Sequence, residues 1–206
     1  MKYPIVINTI GMILAVLGLL FIVPGIVAAI YGELNGVVAF ALASLLAFSV
    51  GLLMRRGNGI GSEMSIKSAF AAVTLGWLVA TIFGALPYVF QGLGTVDALF
   101  ESISGFSATG ATILTESNAQ GYYIVNETLA KNSIANQLAE FITSSLTYYN
   151  ATFNLGNPKT YYGLLFWRSF QQFIGGLGII LLIVAIFPNL RVAGSSALFG
   201  RGSWAI

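Results

Sequence analysis

The residues best suited to chemistry lie in the stretch ESISGFSATGATIL, Glu101 to Leu114. The chemistry they suit is that of a main chain rather than of an acid, a base or a nucleophile. Small side chains leave the backbone accessible, and Gly110 takes a positive φ without steric cost, so SATGAT can turn its carbonyl oxygens to one side. A set of such carbonyls replaces the hydration shell of a cation. Ahead of the loop, Thr95-Val96-Asp97 reads as a helix start, with the Thr95 hydroxyl as N-cap and an acid in the first turn. Apolar Val96, Leu99, Phe100 and Ile103 carry that helix to about Phe106. The negative end of its dipole would favour a cation at the loop that follows. The plainer reading of the same residues is an outer loop in which Ser and Thr make turns over a helix bundle.

What must position this loop is a set of long apolar runs. The chain has 206 residues, 57% hydrophobic and 8% charged, with a mean hydropathy of +0.86. That composition belongs to an integral membrane protein. Ile5 to Ile30 exceeds the roughly 20 residues needed to cross a hydrocarbon core, and is also longer than the core of a cleaved signal peptide, the competing reading raised by Lys2 and Val27-Ala28-Ala29. Val37 to Met54 forms a second run, ended by Arg55-Arg56, after the polar turn Glu33-Leu34-Asn35-Gly36. Ile66 to Phe90 forms a third, and Tyr161 to Phe187 a fourth, stopped by Pro188. The expected fold is all-α: a polytopic membrane protein with four transmembrane helices, and a re-entrant pore helix and filter loop between the third and fourth. Irregular backbone at membrane depth is tolerated only where it is buried in protein or lines a water-filled cavity, so such a loop points to a pore.

The basic residues favour a cytoplasmic N-terminus at the cell membrane. Lys2, Arg55, Arg56, Lys67, Arg191 and Arg201 then lie inside, and only Lys131, Lys159 and Arg168 outside. A net charge of +2 is too small to suggest nucleic acid, and the partner implied is membrane lipid. With no Cys and no His, the chain lacks a thiolate site, the commonest general base and the commonest metal ligand. No nucleophile, base and orienting group converge, so an enzyme is not expected.

Two motifs add a specific resemblance. FESISGFSATGATIL followed by FWRSFQQFIGGLGIILLIVAIFPNLRV resembles the first pore loop and following helix of the Trk/Ktr/HKT potassium transporter family. The resemblance covers essentially the entire chain, from two leading helices through one pore unit, although the leading helices match only in hydropathy and order. It implies K⁺ as the transported ion and Gly110 as the filter glycine. Ala108, Thr109, Gly110 and Ala111 would then supply carbonyl ligands, and the Thr109 hydroxyl could be a further one. It also implies a cytoplasmic regulatory partner, a ring of nucleotide-binding subunits on the inner face. The corresponding division is two leading helices over 1–60, a helix, pore loop and helix unit over 61–190, and a cytoplasmic linker or tail over 191–206. The alternative is a non-conducting membrane scaffold or assembly subunit that keeps the loop as a packed structural element.

The sequence departs from that pattern in two ways. One pore unit cannot close a ring of carbonyls, so further units must come from a missing part of the chain, from a split partner or from a homotetramer. Residues 116–160 form an insertion longer than usual connections, within which Leu129 to Leu146 has the spacing of an amphipathic helix over the outer mouth. Asn126-Glu127-Thr128 and Asn150-Ala151-Thr152 fit the glycosylation sequon on that side. Glu101 and Arg168 are the pore-supporting candidates: the acid could pair with Arg168 or hold the loop from behind, while Arg168 could instead snorkel to the interface. Asp97 and Glu116 could draw cations to the mouth or simply be solvated. GNGIGSE, Gly57 to Glu63, lacks the preceding strand of a dinucleotide loop and is set aside. Gly11 and Gly18 suit close helix contacts, as do Gly175, Gly176 and Gly178. Trp77, Tyr161 and Trp167 suit packing or interface anchoring.

Overall fold

Two prolines divide the first and third apolar runs. The computed structural model describes residues 3–56, 65–114, 116–117, 122–123, 133–147 and 161–199. Within the first run, α1 (Tyr3–Leu20) gives way to α2 (Ile22–Ile30). Pro24 has no N–H to offer the Leu20 carbonyl, and its ring crowds that turn. The break is shallow, because Phe21 N–H still donates to the Leu17 carbonyl at 3.1 Å. Pro87 acts likewise on the third run, dividing α4 (Ile66–Gly84) from α5 (Leu86–Phe90). The second run is the continuous helix α3 (Leu34–Arg55). Among the described residues, the segments Tyr3–Ile30, Leu34–Arg55 and Lys67–Phe90 are long and apolar enough to cross a membrane.

After α5 the chain turns at Gly92 into α6 (Thr95–Phe106). Gly94, not Thr95, holds the N-cap position of α6, and no side chain caps it; Asp97 does lie in the first turn. The insertion is not wholly helical. A short antiparallel ladder pairs β1 (Glu116–Ser117) with β2 (Tyr122–Tyr123). The expected amphipathic helix is α7 (Ile134–Thr147), whose Ala135 and Ala139 pack on Val38 and Ala39 of α3. Both sequons lie outside the described residues.

The last helix, α8 (Tyr162–Phe199), corrects the end of the fourth run: it is not stopped by Pro188 but continues through it to residue 199. A proline inside a helix removes one hydrogen bond, a local loss that an otherwise continuous ladder can survive.

Packing follows small residues. α1 and α3 cross where a Cβ on Gly51 would stand 2.6 Å from Ala15 N, and one on Gly18 2.8 Å from Phe48 N. Only glycine permits that approach, the role expected of Gly18. Trp167 of α8 is fully buried among Phe21, Phe40 and Phe106, with ring centroids 4.7, 6.4 and 6.4 Å away. It thereby ties the leading helices to α6, and its indole N–H donates to the Gly84 carbonyl at 3.0 Å.

Candidate cation-filter loop

The helix α6 presents one polar face inward. Glu101 and Ser102 are fully buried and Ser104 nearly so, while Val96, Phe100 and Ile103 are exposed. Ser102 Oγ donates to the Thr81 carbonyl of α4 at 2.7 Å and accepts from Gln171 Nε2 of α8 at 3.1 Å. Gln171 also donates to the Gly84 carbonyl, and its Oε1 accepts from the Tyr88 hydroxyl at 2.8 Å. This buried network fixes α6 between α4 and α8. Gly175 completes the contact, because a Cβ there would collide with the Phe106 carbonyl.

Residues 107–114 run from the end of α6 without regular structure. Two of them have positive φ, Ala108 at 56° and Gly110 at 76°. The glycine bears this without cost, whereas an alanine in the left-handed region is strained by roughly 1–2 kcal/mol. The surroundings impose it. The Thr109 N–H donates to the Ser104 carbonyl at 3.1 Å, and the Ser104 hydroxyl donates to the Ala111 carbonyl at 2.5 Å.

Glu101 and Arg168 brace the loop from behind. Glu101 Oε1 accepts from the Thr112 hydroxyl and from the Ile113 N–H, each at 2.7 Å. Its Oε2 lies 3.2 Å from Arg168 Nε, an ion pair without the alignment of a straight hydrogen bond. Arg168 in turn donates from a terminal guanidinium nitrogen to the Gly110 carbonyl at 2.9 Å. Arg168 therefore faces the loop instead of snorkelling away from it, and Glu101 both pairs with it and holds the loop backbone.

This brace divides the four candidate carbonyls. Those of Gly110 and Ala111 are engaged by Arg168 and Ser104. Among the described residues no donor reaches those of Ala108 and Thr109, and the Thr109 side chain is exposed with its hydroxyl 2.7 Å from that of Ser107. Asp97 is exposed, as a solvated surface acid would be, and the side chain of Glu116 lies outside the described residues.

Sequence reasoning missed Ser104, Thr112, Tyr88 and Gln171, whose signal is only that each is a polar residue within an apolar or small-residue setting. It also missed Glu33. That carboxylate is 2% exposed and caps the start of α8, accepting from Tyr162 N–H at 2.5 Å and Gly163 N–H at 3.0 Å. Burial pushes its pKa above the ordinary 4.5, against the opposing pull of the Gly163 and Tyr162 N–H groups.

Comparison with known proteins finds relatives over most of the chain. Over 201 residues the chain is 29% identical to the Trk system potassium uptake protein TrkH of Salmonella typhimurium, covering 94% of this chain and 32% of that protein. It resembles an N-terminal piece of a TrkH-type protein. Similarity extends to an uncharacterized cation transporter of Methanocaldococcus jannaschii, 27% identical over 89% of this chain and 30% of that protein. The Trk system potassium uptake protein TrkG of Escherichia coli is 25% identical over 85% of this chain and 29% of its own length. The chain thus spans about a third of the length of the curated relatives it matches. No family model matches it, and no solved structure does.

Proposed function

We propose that this chain is one pore unit of a potassium uptake system, with residues 107–114 forming one wall of a cation filter. The observation that carries the reading is the brace of Glu101 and Arg168 on a loop that holds Gly110 in the left-handed region. Such a brace spends a buried ion pair on the shape of a loop whose residues, Leu114 apart, are exposed or half-exposed, which a mere turn does not require. The TrkH and TrkG relatives are potassium uptake proteins by name, and that supports K⁺ as the ion.

In this reading α8 supplies a fourth membrane crossing, and α6 is re-entrant. Its 12 residues span about 18 Å, short of the roughly 30 Å hydrocarbon core. Its C-terminal end then brings partial negative charge to the loop from inside the membrane. The carbonyls of Ala108 and Thr109 face the ion, while those of Gly110 and Ala111 are held back to set the curvature. One loop covers one side of an ion, so the other sides come from further units or from copies of this chain. The N-terminus is cytoplasmic on the distribution of basic residues, and the inner face receives a nucleotide-binding regulatory ring.

The test is reconstitution of the chain in vesicles, with particle mass measured in detergent and K⁺ and Na⁺ flux compared for the wild type and Gly110→Ala. The reading expects K⁺ flux from a tetrameric particle and loss of K⁺ over Na⁺ discrimination in the variant. A scaffold would show no selective flux in either protein. A monomer without flux would overturn transport by this polypeptide alone.

A further inference from the structure

A second polar site lies at the far end of α3, apart from the loop. There Arg55 and Arg56 close an apolar helix, and a cleft of about 340 Å³ is lined by Asn8, Leu52, Arg55 and Arg56. The close α1–α3 crossing builds it: a Cβ on Gly11 would stand 3.0 Å from Arg55 Cγ, so the arginine stem lies directly over α1. Both arginines are exposed, and among the described residues no carboxylate pairs with either. The Asn8 side-chain oxygen is buried without a hydrogen-bond partner. Buried polar atoms are normally satisfied, so an orphaned acceptor beside two cations asks for a ligand that carries both an anion and a donor.

We propose that this cleft binds the headgroup of an anionic glycerophospholipid bearing a hydroxyl, of the phosphatidylglycerol class. The phosphate takes the two guanidinium groups, whose planar forks match its oxygens. A headgroup hydroxyl donates to the Asn8 oxygen. Leu52, 43% exposed, offers an apolar floor for the glycerol backbone. The cleft sits where α3 leaves its apolar span, the level at which basic pockets between membrane helices meet lipid phosphates. Free phosphate shares the anion chemistry but has no acyl chains to anchor at that level.

Native mass spectrometry of the full chain, titrated with phosphatidylglycerol and with phosphatidylcholine of the same acyl chains, tests this. Phosphatidylglycerol should bind preferentially, and Arg55→Gln/Arg56→Gln should weaken it by about 30-fold. Asn8→Leu should weaken it about fivefold, and Arg55→Lys/Arg56→Lys should fall between wild type and the glutamine pair, with unchanged melting temperatures. Lys67, exposed in the first turn of α4, is the control for diffuse charge. If Lys67→Gln weakened binding as much as the arginine pair, or Asn8→Leu had no effect, the cleft would not be a site and the proposal would fall. Displacement of the lipid by inorganic phosphate at comparable concentration would make it a free-phosphate site and overturn the lipid assignment.

Discussion

Glu33 and Glu101 are both buried carboxylates, yet they are held in opposite ways. Glu101 meets a full positive charge, Arg168, and two donors from a loop only 11 and 12 residues further on. Among the described residues Glu33 meets no positive charge, and it takes two main-chain N–H groups at the start of α8, 129 and 130 residues away. One carboxylate is compensated by a guanidinium and shapes a loop; the other is compensated by a helix end and fixes where a helix begins. Both grip the same helix. Gly163 and Arg168 are five residues apart, about 7.5 Å along α8, so that helix is located along its axis from two separate parts of the chain.

The sharpest way to break this comparison is to remove the charge that Glu101 depends on. Arg168→Met leaves a buried carboxylate uncompensated and should cost about 3 kcal/mol, at the low end for such pairs because the Arg168 side chain is 25% exposed. Unfolding in detergent measures it. Adding Glu101→Gln to Arg168→Met should restore much of the loss, since the stranded charge is then gone. If Arg168→Met cost no more than removing the cap at Glu33, the two carboxylates would not differ in kind.

Packing is a separate contribution to the same region. Gly175→Ala places a Cβ against the Phe106 carbonyl, which cannot retreat without moving the end of α6. A loss of about 2 kcal/mol is expected from overpacking, with the Glu101–Arg168 pair left intact. Because the loop starts at that helix end, this variant should also lower any selective K⁺ flux. Unchanged selectivity at reduced stability would show that the loop is set by the ion pair and not by the position of α6.

Glu33→Ala tests the other carboxylate. Two N–H groups of α8 lose their acceptor, at a cost of about 1–2 kcal/mol. Glu33→Gln keeps an acceptor oxygen and should cost less than the alanine at neutral pH, measured by the same unfolding experiment.

The difference between the two sites also explains what could be read from the sequence. The loop was legible because its determinants are local: a glycine able to take positive φ, a short helix ending near Phe106, and small residues between. Of the four apolar runs read as membrane spans, the first three coincide with helices long and apolar enough to cross, since a hydropathic run needs no tertiary knowledge. Ala108 was not legible, because nothing in an alanine announces a φ of 56°; the Ser104 bonds that force it depend on how α6 ends. Nor did Pro188 reveal that α8 passes through it, as proline marks a lost hydrogen bond and not the strength of the surrounding ladder. Glu33 was invisible for the opposite reason: its partner is a helix start more than a hundred residues away, and no spacing encodes that distance.

The smallest effect belongs to the protonation of Glu33. Burial raises its pKa above the ordinary 4.5, and the Gly163 and Tyr162 N–H groups only partly offset this, so the folded protein holds the proton more tightly than the unfolded chain. A raised acid contributes stability that is complete below the unfolded value and is lost as pH climbs through the folded one. Stability should therefore decline as pH rises above the ordinary 4.5 and through the raised folded value in the wild type, relative to Glu33→Gln, which carries no proton to lose. The readout is the difference between the two unfolding midpoints across that range. If the difference were flat, or if the wild type gained on the variant as pH rose, the N–H groups of α8 would outweigh burial. Glu33 would then be a charged cap held by the helix end, and its contrast with Glu101 would narrow to the identity of the donors.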